Sequence, residues 1–331
     1  MTTSNVQIDV DSINIFNKST RQDNDDANKL REKIICAIIN KEIPDSYYNT
    51  SNSTTNNTSN KWNSLRDELH TYMQKLCSFP IDHIHCELKG GRKFHWDFEF
   101  TINYTHIFNI EFKFGVDCVE DCPQFSSPMK PSRFLNRSFE EYFHDKWLPK
   151  IATFGNLKMP SKDTYLQKIH NNKVECMKDY KTKYDTDTSF NKYCKQIDKL
   201  AIKEFIKSEE TKLDISLLSE YLKDTQKKKI YMCYKDSHMT KDTVNRDCFE
   251  LESITKTTST NFICKTKKGY KLEVKLRFKN GCGLQFPAFQ IKRKIPYKKE
   301  LIELCKKHGI PYSDMVKKDI QKKLDDKNII Y

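Results

Sequence analysis

The sequence predicts an α/β protein in which a mixed β-sheet is flanked by helices, with a helical insertion and a small helical module at the C-terminal end. Apolar residues recur at helical spacing near the start of the chain, and they alternate with polar residues between positions 83 and 115 and again between 249 and 292. Lysine-rich helical patterns lie between and after these alternating stretches. With 331 residues, 37% of them hydrophobic, the chain can bury a sizeable core.

The first elements are two helices and three strands. An amphipathic pattern predicts a helix around Asn28–Asn40, the polar stretch 49–60 is expected to be a linker, and a second helix begins at Trp62 and ends near Pro80. Period-two alternation predicts the strands that follow, at His83–Lys89, Lys93–Ile102 and His106–Gly115.

The later elements are first helical and then extended. Ser138 and Glu141 have the spacing of a capping box for a helix from Phe139 to about Ile151, and residues 163–235 show a strongly basic, mostly helical pattern. Further strands are predicted at Phe249–Thr255, Asn261–Thr266, Tyr270–Phe278 and Leu284–Lys292, and a final helical pair at Lys298–His308 and Ser313–Asp325.

These patterns divide the chain into three expected parts. Residues 1–60 would hold an N-terminal helix and a disordered linker, and residues 61–296 a main domain with the basic helical insertion at about 160–235. Residues 297–331 would form the C-terminal module.

The charge balance indicates a polyanionic partner. Lys and Arg total 58 against 45 Asp and Glu, which gives a net charge of +13, and nucleic acid is the commonest polyanion that proteins bind. The alternative is a lysine-rich proteome from an AT-rich genome. No apolar run of about 18 residues and no signal pattern occurs, so we expect a soluble intracellular protein without a membrane partner and with reduced cysteines. Cys118 and Cys122 have no second pair at zinc-binding spacing.

Two of the strands form a hairpin whose register can be derived. If Asn103–Thr105 is a three-residue loop, each residue faces the one equally far along the other strand. The apolar face then pairs Phe100 with Phe108, Phe98 with Ile110, Trp96 with Phe112 and Phe94 with Phe114. The polar face places Asp97 opposite Glu111 and His95 opposite Lys113.

The polar face of this hairpin has the residue types that phosphodiester hydrolysis needs. Facing carboxylates on Asp97 and Glu111, with Cβ atoms roughly 4.5–5.5 Å apart, repel each other unless a cation lies between them. Mg²⁺ prefers oxygen ligands, and the Lys113 ammonium lies on the same face within reach of a phosphate. We therefore expect a Mg²⁺ site, at which Mn²⁺ can substitute. The alternative is an ordinary solvated hairpin face of mixed charge.

At this point the residues resemble the PD-(D/E)xK superfamily, whose members have the restriction-endonuclease-like fold. The core of that fold is a helix, a hairpin, the Glu-x-Lys strand, a helix and a further strand. This order appears here as the Trp62 helix, the strands with Asp97 and Glu111-Phe112-Lys113, and then the Phe139 helix. The resemblance covers residues 62–155. One departure from the motif is that Trp96, not proline, precedes Asp97.

A looser similarity to nuclease-like proteins of large DNA viruses extends this comparison. It involves Pro123-Gln124-Phe125, Asn280-Gly281 and Pro287-Ala288-Phe289-Gln290-Ile291. The two resemblances imply a Mg²⁺-dependent DNA endonuclease in the cytoplasm or nucleus of a host cell, or in a virion, and a homodimer would follow from analogy alone.

The resemblance also implies roles for individual residues. Asp97 and Glu111 would be metal ligands, and Lys113 would position the attacking water and stabilise the developing phosphorane charge. Glu68, on the helix before the hairpin, would match the acidic residue of the superfamily's helix as a further ligand, although a solvated helix flank is the alternative. Gln124 would contact phosphate or water, or be a polar loop residue.

Each of the other candidate sites also has a simple structural explanation. Glu273-Val274-Lys275 is a second Glu-x-Lys, but no facing hairpin strand supplies an acid, so an exposed basic strand is the expectation. Five histidines, among which only His95 shares the acidic face, lie around the hairpin at positions 70, 83, 85, 95 and 106. The C-terminal helical pair is similar to SAP modules, which implies DNA-backbone contacts by Lys317, Lys318 and Lys322; a plain basic helical hairpin is the alternative.

Three hypotheses of function follow from the sequence. The first is a DNA nuclease that hydrolyses phosphodiester bonds with a metal-activated water. The second is a catalytically inactive DNA-binding protein that kept the nuclease fold, and the third is a structural protein without nucleic acid. The complete set of Asp97, Glu111 and Lys113 favours the first.

Overall fold

A computed structural model describes the chain in two compact units. The first comprises Met1–Cys122 and Thr225–Asn245, and the second comprises Pro123–Asp224 and Arg246–Tyr331. The described residues are 7–17, 24–49, 56–90, 94–119, 126, 130–168, 175–208, 211–226, 229–243, 249–279, 286–294, 298–313, 315, 317–327 and 329.

The helices of the first unit precede its sheet. They are a 3-10 helix Val10–Asn17, α1 Asn24–Ile39, a 3-10 turn Asp45–Tyr47 and α2 Asn56–Leu76. Both predicted helices are present, but α2 starts six residues before Trp62, so the expectation of a linker through residue 60 is wrong from Asn56 onward. Side-chain hydrogen bonds hold these first turns in place: the buried Ser59 hydroxyl donates to the Asn49 carbonyl of the preceding loop at 2.7 Å, and the Asn63 amide donates to the Ser59 carbonyl at 3.0 Å.

The first unit contains a five-stranded mixed sheet in the order β1-β2-β3-β4-β5. Neighbours are antiparallel except β3 and β4, which run parallel. Its strands are β1 Ile84–Leu88, β2 Phe98–Ile102, β3 His106–Phe114, β4 Lys229–Lys235 and β5 His238–Asp242. The fold class, a mixed α/β protein with helices beside a mixed sheet, is confirmed.

The derived hairpin register is confirmed where β2 and β3 pair. Phe98 faces Ile110 and Phe100 faces Phe108. The Asn103–Thr105 turn is present, with Asn103 at φ 48° and Tyr104 at φ 62°. Left-handed backbone is unusual outside glycine, and asparagine is among the residues that tolerate it best.

The hairpin is shorter than the alternation predicts. Residues 95–97 form a bend rather than strand, so the expected strand pairs of Phe94, His95, Trp96 and Asp97 with β3 are not formed. The physical reason is that the Asp97 carboxylate accepts the Phe112 N–H at 2.9 Å, a bond that a continuing strand would supply from its backbone. The Asp97 N–H still donates to the Ile110 carbonyl at 2.9 Å, and the Asp97 carbonyl accepts from Lys89 N–H at 2.8 Å.

Strand β4 corrects the expectation that the basic region is helical as far as residue 235. The prediction holds through α8, but Lys229–Lys235 is a strand between β3 and β5. Met232 and Cys233 are adjacent and both fully buried, so both faces of β4 are covered. A strand buried on both faces lacks the period-two alternation that identifies a half-exposed strand.

One apolar core joins the helices to the sheet in the first unit. Ile34 and Ile35 of α1 and Trp62 and Leu69 of α2 are buried in the same cluster as Phe98, Phe100, Ile102, Ile110 and Phe112 of the sheet. The Arg31 guanidinium is also buried, donates to the Ile15 carbonyl at 2.8 Å and lies 3.6 Å from the Phe114 ring centroid. The core therefore fixes α1 and α2 beside the hairpin.

The second unit is helical first and then forms an antiparallel sheet. Ser138 caps α3 by accepting the Glu141 N–H, as the capping box predicts, but the predicted single helix is divided at Trp147 ahead of Pro149. The helices are α3 Phe139–Lys146, α4 Leu148–Gly155, α5 Lys162–Lys168, α6 Glu175–Thr186, α7 Thr188–Lys207 and α8 Ile215–Thr225, preceded by a 3-10 turn Pro131–Phe134.

The four predicted strands of this unit are confirmed to within about two residues at each end. They pair in the order β6-β7-β8-β9 and are β6 Leu251–Thr257, β7 Asn261–Thr266, β8 Lys271–Lys279 and β9 Phe286–Arg293. Helices α9 Lys298–Lys307 and α10 Lys317–Asp326 follow and share a small core of Leu301, Cys305, Ile310, Ile320 and Leu324. None of the helices described above combines the length and the hydropathy that a bilayer crossing requires.

The hairpin core sets the stability of the first unit. Phe100 is 0% exposed, so Phe100→Ala leaves a cavity and is expected to lower the free energy of unfolding by about 3–5 kcal/mol in urea denaturation. Ile107 on the same hairpin is 63% exposed, and Ile107→Ala should change it by no more than about 0.5 kcal/mol. Equal losses in the two variants would contradict the assignment of the core face.

Candidate functional site

Glu111 on β3 is held between two ammonium groups. Lys113, two residues along the strand, places its Nζ 2.5 Å from Glu111 Oε1. Lys229, at the start of the parallel strand β4, places its Nζ 3.4 Å from Glu111 Oε2. The Lys229 side chain is only 4% exposed, and its Nζ also donates to the His95 carbonyl at 2.7 Å. Each carboxylate oxygen of Glu111 therefore faces its own cation.

These contacts determine how Glu111 ionises. Burial opposes ionisation of the Glu111 carboxyl, but the ammonium groups of Lys113 and Lys229 outweigh it and lower the pKa of Glu111. Burial also lowers the pKa of Lys229, and the Glu111 charge offsets part of that effect. The site therefore contains an ionised glutamate whose charge is matched locally.

Asp97 enters the site from the bend before β2. Its Oδ2 accepts the Phe112 N–H, which fixes the carboxylate beside the strand that carries Glu111 and Lys113. Burial first, and then the charge of Glu111, raise the pKa of Asp97 to about 6. The structure thus brings together the three residues that the sequence singled out on the hairpin, while their chemical roles stay predictions.

Glu32 on α1 is a third acid that the sequence analysis missed. Burial first, and then the charges of Asp97 and Glu111, raise the pKa of the Glu32 carboxyl to about 8. The sequence pattern predicts residues 1–60 to lie outside the main domain, whereas α1 shares the hairpin's core. The only sequence feature that could have identified Glu32 is its position in the middle of a predicted amphipathic helix. Glu68 on α2 has the same feature, so the sequence alone does not distinguish the two acids.

The structure places Glu68 elsewhere, contrary to the expectation of a ligand beside Asp97. Its carboxylate accepts the Met239 N–H at 3.0 Å and lies 3.3 Å from His238 Nδ1. Both partners belong to β5, two strands along the sheet from β3. Glu68 therefore satisfies a backbone group at the start of an edge strand, and Glu32 is the helical acid that interacts with the hairpin carboxylates.

The remaining candidates add no second acidic site in the described ranges. Glu273 faces Ile263 on β7 and Lys292 on β9, and its carboxylate contacts Lys292 at 3.2 Å, which agrees with the expected basic strand. Gln124, with the rest of Pro123–Phe125 and Asn280–Gly281, lies outside the described residues. Three lysines lie on α10 at positions whose side chains are not described, namely Lys317, Lys318 and Lys322.

The donor chemistry of the site fits a hard divalent cation. Asp97, Glu111 and Glu32 supply carboxylate oxygens, which Mg²⁺ prefers, and two of these groups carry raised pKa values because of burial and mutual repulsion. Among the described residues, no three His, Cys, Asp or Glu side chains lie close enough together to hold a metal ion as they stand. A metal at this site would require the carboxylates of Asp97, Glu111 and Glu32 to move closer together and Glu111 to exchange at least one of its lysine contacts.

Comparison with known proteins assigns no family. No protein-family model matches the chain, and neither the curated proteins nor the solved structures include a significant match. The fold and the site define only a structural class: this is a mixed α/β protein in which the parallel strands β3 and β4 carry a buried glutamate between two lysines.

The raised pKa of Glu32 predicts a pH-dependent effect of Glu32→Gln. The folded chain holds the proton more tightly than the unfolded chain between pH 4.5, the ordinary value, and about 8, so stability falls as the pH rises through this window. In metal-free buffer at pH 8.5, Glu32→Gln should raise the melting temperature by a few degrees, which corresponds to about 1 kcal/mol in the free energy of unfolding. At pH 5 the substitution should change the melting temperature little.

The matched control for this experiment is Glu42→Gln, which replaces an exposed glutamate of the same unit. It should leave the melting temperature within about one degree at both pH values. A destabilised Glu32→Gln protein at pH 8.5 would show that Glu32 is stabilised, not repelled, by its surroundings.

Lys229→Met tests the buried ion pair. Methionine keeps most of the aliphatic volume but leaves one oxygen of the buried Glu111 and the His95 carbonyl without the ammonium. We expect urea denaturation to show a loss of about 2–3 kcal/mol. Lys235→Met is the control on the same strand, because Lys235 makes a half-exposed pair with Asp117 and should cost no more than about 1 kcal/mol. If Lys229→Met leaves the free energy of unfolding unchanged or raises it, the Lys229–Glu111 pair does not stabilise the fold.

Proposed function

We propose that this protein is a Mg²⁺-dependent DNA nuclease of the restriction-endonuclease-like fold, which hydrolyses phosphodiester bonds as an endonuclease with a metal-activated water. Mn²⁺ can replace Mg²⁺ in this proposal. The observation that carries it is the grouping of Asp97, Glu111 and Lys113 on one hairpin, with Glu111 between two ammonium groups.

The topology around the hairpin supports the proposed fold. The PD-(D/E)xK resemblance requires a further strand after the Glu-x-Lys strand, and β4 returns parallel to β3 and beside it. Parallel neighbours need a crossover connection, which the long stretch between Phe114 and Lys229 supplies. The Phe139 helix lies within that stretch, as the resemblance expects, although it belongs to the second unit.

The proposed mechanism assigns each side chain one task. Asp97, Glu111 and Glu32 would hold Mg²⁺, which when bound supplies Lewis-acid activation of water and of a phosphate oxygen. The Asp97 carboxylate is already oriented by the Phe112 N–H. Lys113, on releasing Glu111, can turn its ammonium to the phosphate and stabilise the negative charge that develops there. Lys229 keeps its bond to the His95 carbonyl and so holds the bend that presents Asp97.

One observation favours the alternative of an inactive, DNA-binding protein with the nuclease fold. Both Glu111 oxygens face lysines, which is how a chain could neutralise this carboxylate without a metal. In this alternative the lysines are permanent counter-ions, and the positive charge serves binding alone.

A cleavage assay separates the two functions. Plasmid and single-stranded DNA are incubated with purified protein in Mg²⁺, Mn²⁺ or EDTA, and we expect cleavage only with metal. Asp97→Asn, Glu111→Gln and Lys113→Met should each lower the rate by about a hundredfold or more.

The variants Glu32→Gln and Glu68→Gln test which of the two helical acids takes part in cleavage. Glu32→Gln should lower cleavage strongly, and Glu68→Gln should leave it nearly unchanged because Glu68 binds β5. Retention of DNA without cleavage in every metal would refute the nuclease proposal and support the inactive alternative. Cleavage that depends on Glu68 and not on Glu32 would refute the assignment of the ligands.

A further inference from the structure

Helix α7 in the second unit carries a row of five exposed lysines. They are separated by three, four, four and four residues, so they lie along one side of the helix, and the whole row is about 22 Å long. The opposite side of α7 is buried and apolar, with Phe190, Cys194, Ile197, Ala201 and Phe205. The row, called here the α7 lysine row, consists of Lys192, Lys195, Lys199, Lys203 and Lys207.

The α7 lysine row is not neutralised by described acids. None of its ammonium groups forms an ion pair or a hydrogen bond with a described residue, and the exposed acid of the helix, Glu204, pairs with Lys146. Helix α6 differs, because Lys181 pairs with Asp185 at 2.7 Å and Lys183 with Asp187 at 3.8 Å. Two lysines of α6 are thus paired with Asp185 of the same helix and with Asp187, the N-cap of α7, while the α7 lysine row presents concentrated positive charge.

An exposed aromatic pair borders the row. Phe154 of α4 is 49% exposed and stacks on Tyr193 of α7, with ring centroids 4.0 Å apart and planes 11° apart. Leu200 is 51% exposed and follows Tyr193 by seven residues, so the two lie on the same flank of the helix. Lysines beside half-exposed rings combine phosphate attraction with a stacking surface for bases.

We propose that the α7 lysine row and the Phe154–Tyr193 pair form a binding surface for single-stranded nucleic acid. The ammonium groups contact successive phosphates, and unpaired bases stack on or beside Phe154. This inference goes beyond the proposed nuclease activity, because binding at this surface requires no hydrolysis.

The geometry favours a single strand over a duplex. A flexible single strand can follow a straight row of charges, whereas a duplex backbone winds away from it and keeps its bases stacked inside the helix. A membrane surface fits less well, since interfacial helices insert a broad apolar face, and the exposed apolar surface here is limited to one flank of α7.

The test is fluorescence anisotropy of the full chain with a labelled oligothymidine and with a labelled duplex, in EDTA and at several salt concentrations. In the first variant the five lysines of the row are replaced by glutamine, which keeps helix propensity. The matched control replaces five exposed lysines of the second sheet by glutamine, namely Lys256, Lys265, Lys268, Lys271 and Lys275, so that both variants lose the same charge.

We expect the row variant to bind oligothymidine about a hundredfold more weakly and to lose about three units of salt slope, while the control stays within about threefold. Phe154→Ala should weaken oligothymidine binding about tenfold with an unchanged salt slope and unchanged duplex binding, and Phe154→Trp should retain the affinity. Circular dichroism melts establish that the variants are folded.

Two results would overturn the proposal. Equal losses in the two five-lysine variants would show that net charge alone drives binding. Binding to anionic phosphatidylserine vesicles without binding to oligothymidine would show that the surface serves a membrane. Both results are measured as binding in EDTA, where the proposed metal-dependent hydrolysis does not occur, so neither depends on catalysis.

Discussion

The buried contact between Glu111 and its two lysines is the interaction on which the centre of the first unit depends. A carboxylate taken out of water loses several kcal/mol of solvation, and only well-placed cations and hydrogen bonds compensate for it. Lys229 reaches Glu111 from the parallel strand β4 and also binds the His95 carbonyl in the bend before β2. One ammonium group thereby joins β4, β3 and the bend before β2, so the pairing of the strands depends on the charge balance of the site.

The carboxylates of this site outnumber its ammonium groups, and this excess of negative charge favours the binding of a cation. Three carboxylates, Asp97, Glu111 and Glu32, interact with two ammonium groups, Lys113 and Lys229. The lysines keep Glu111 ionised, whereas burial first, and then the neighbouring negative charges, raise the pKa of Asp97 to about 6 and that of Glu32 to about 8. A divalent cation would relieve this repulsion, so its binding energy and the stability of the apo fold are linked.

The sequence predicts the local part of this site and misses the part that depends on distant contacts. Period-two alternation predicts the Phe98–Ile110 register, because the apolar residues of each strand show which of its faces is buried. Lys229 lies 118 residues from Glu111 on a strand buried on both faces, so no periodicity identified it. Glu32 and Glu68 are both acids on helices before the hairpin, and only the tertiary packing of α1 and α2 distinguishes the acid that reaches the site from the acid that binds β5.

The lysines that contribute to the net charge of +13 have different surroundings in the two units, so the proposed recognition and the proposed catalysis rest on different lysines. In the first unit Lys113 and Lys229 face inward and neutralise a buried acid, so their charge is not available to a partner at long range. In the second unit the α7 lysine row faces solvent without described acidic partners, so its field extends to any polyanion within about a Debye length. Composition alone cannot distinguish these uses of lysine. Since the two proposed functions rest on different lysines, a substitution that removes one of them is expected to leave the other intact.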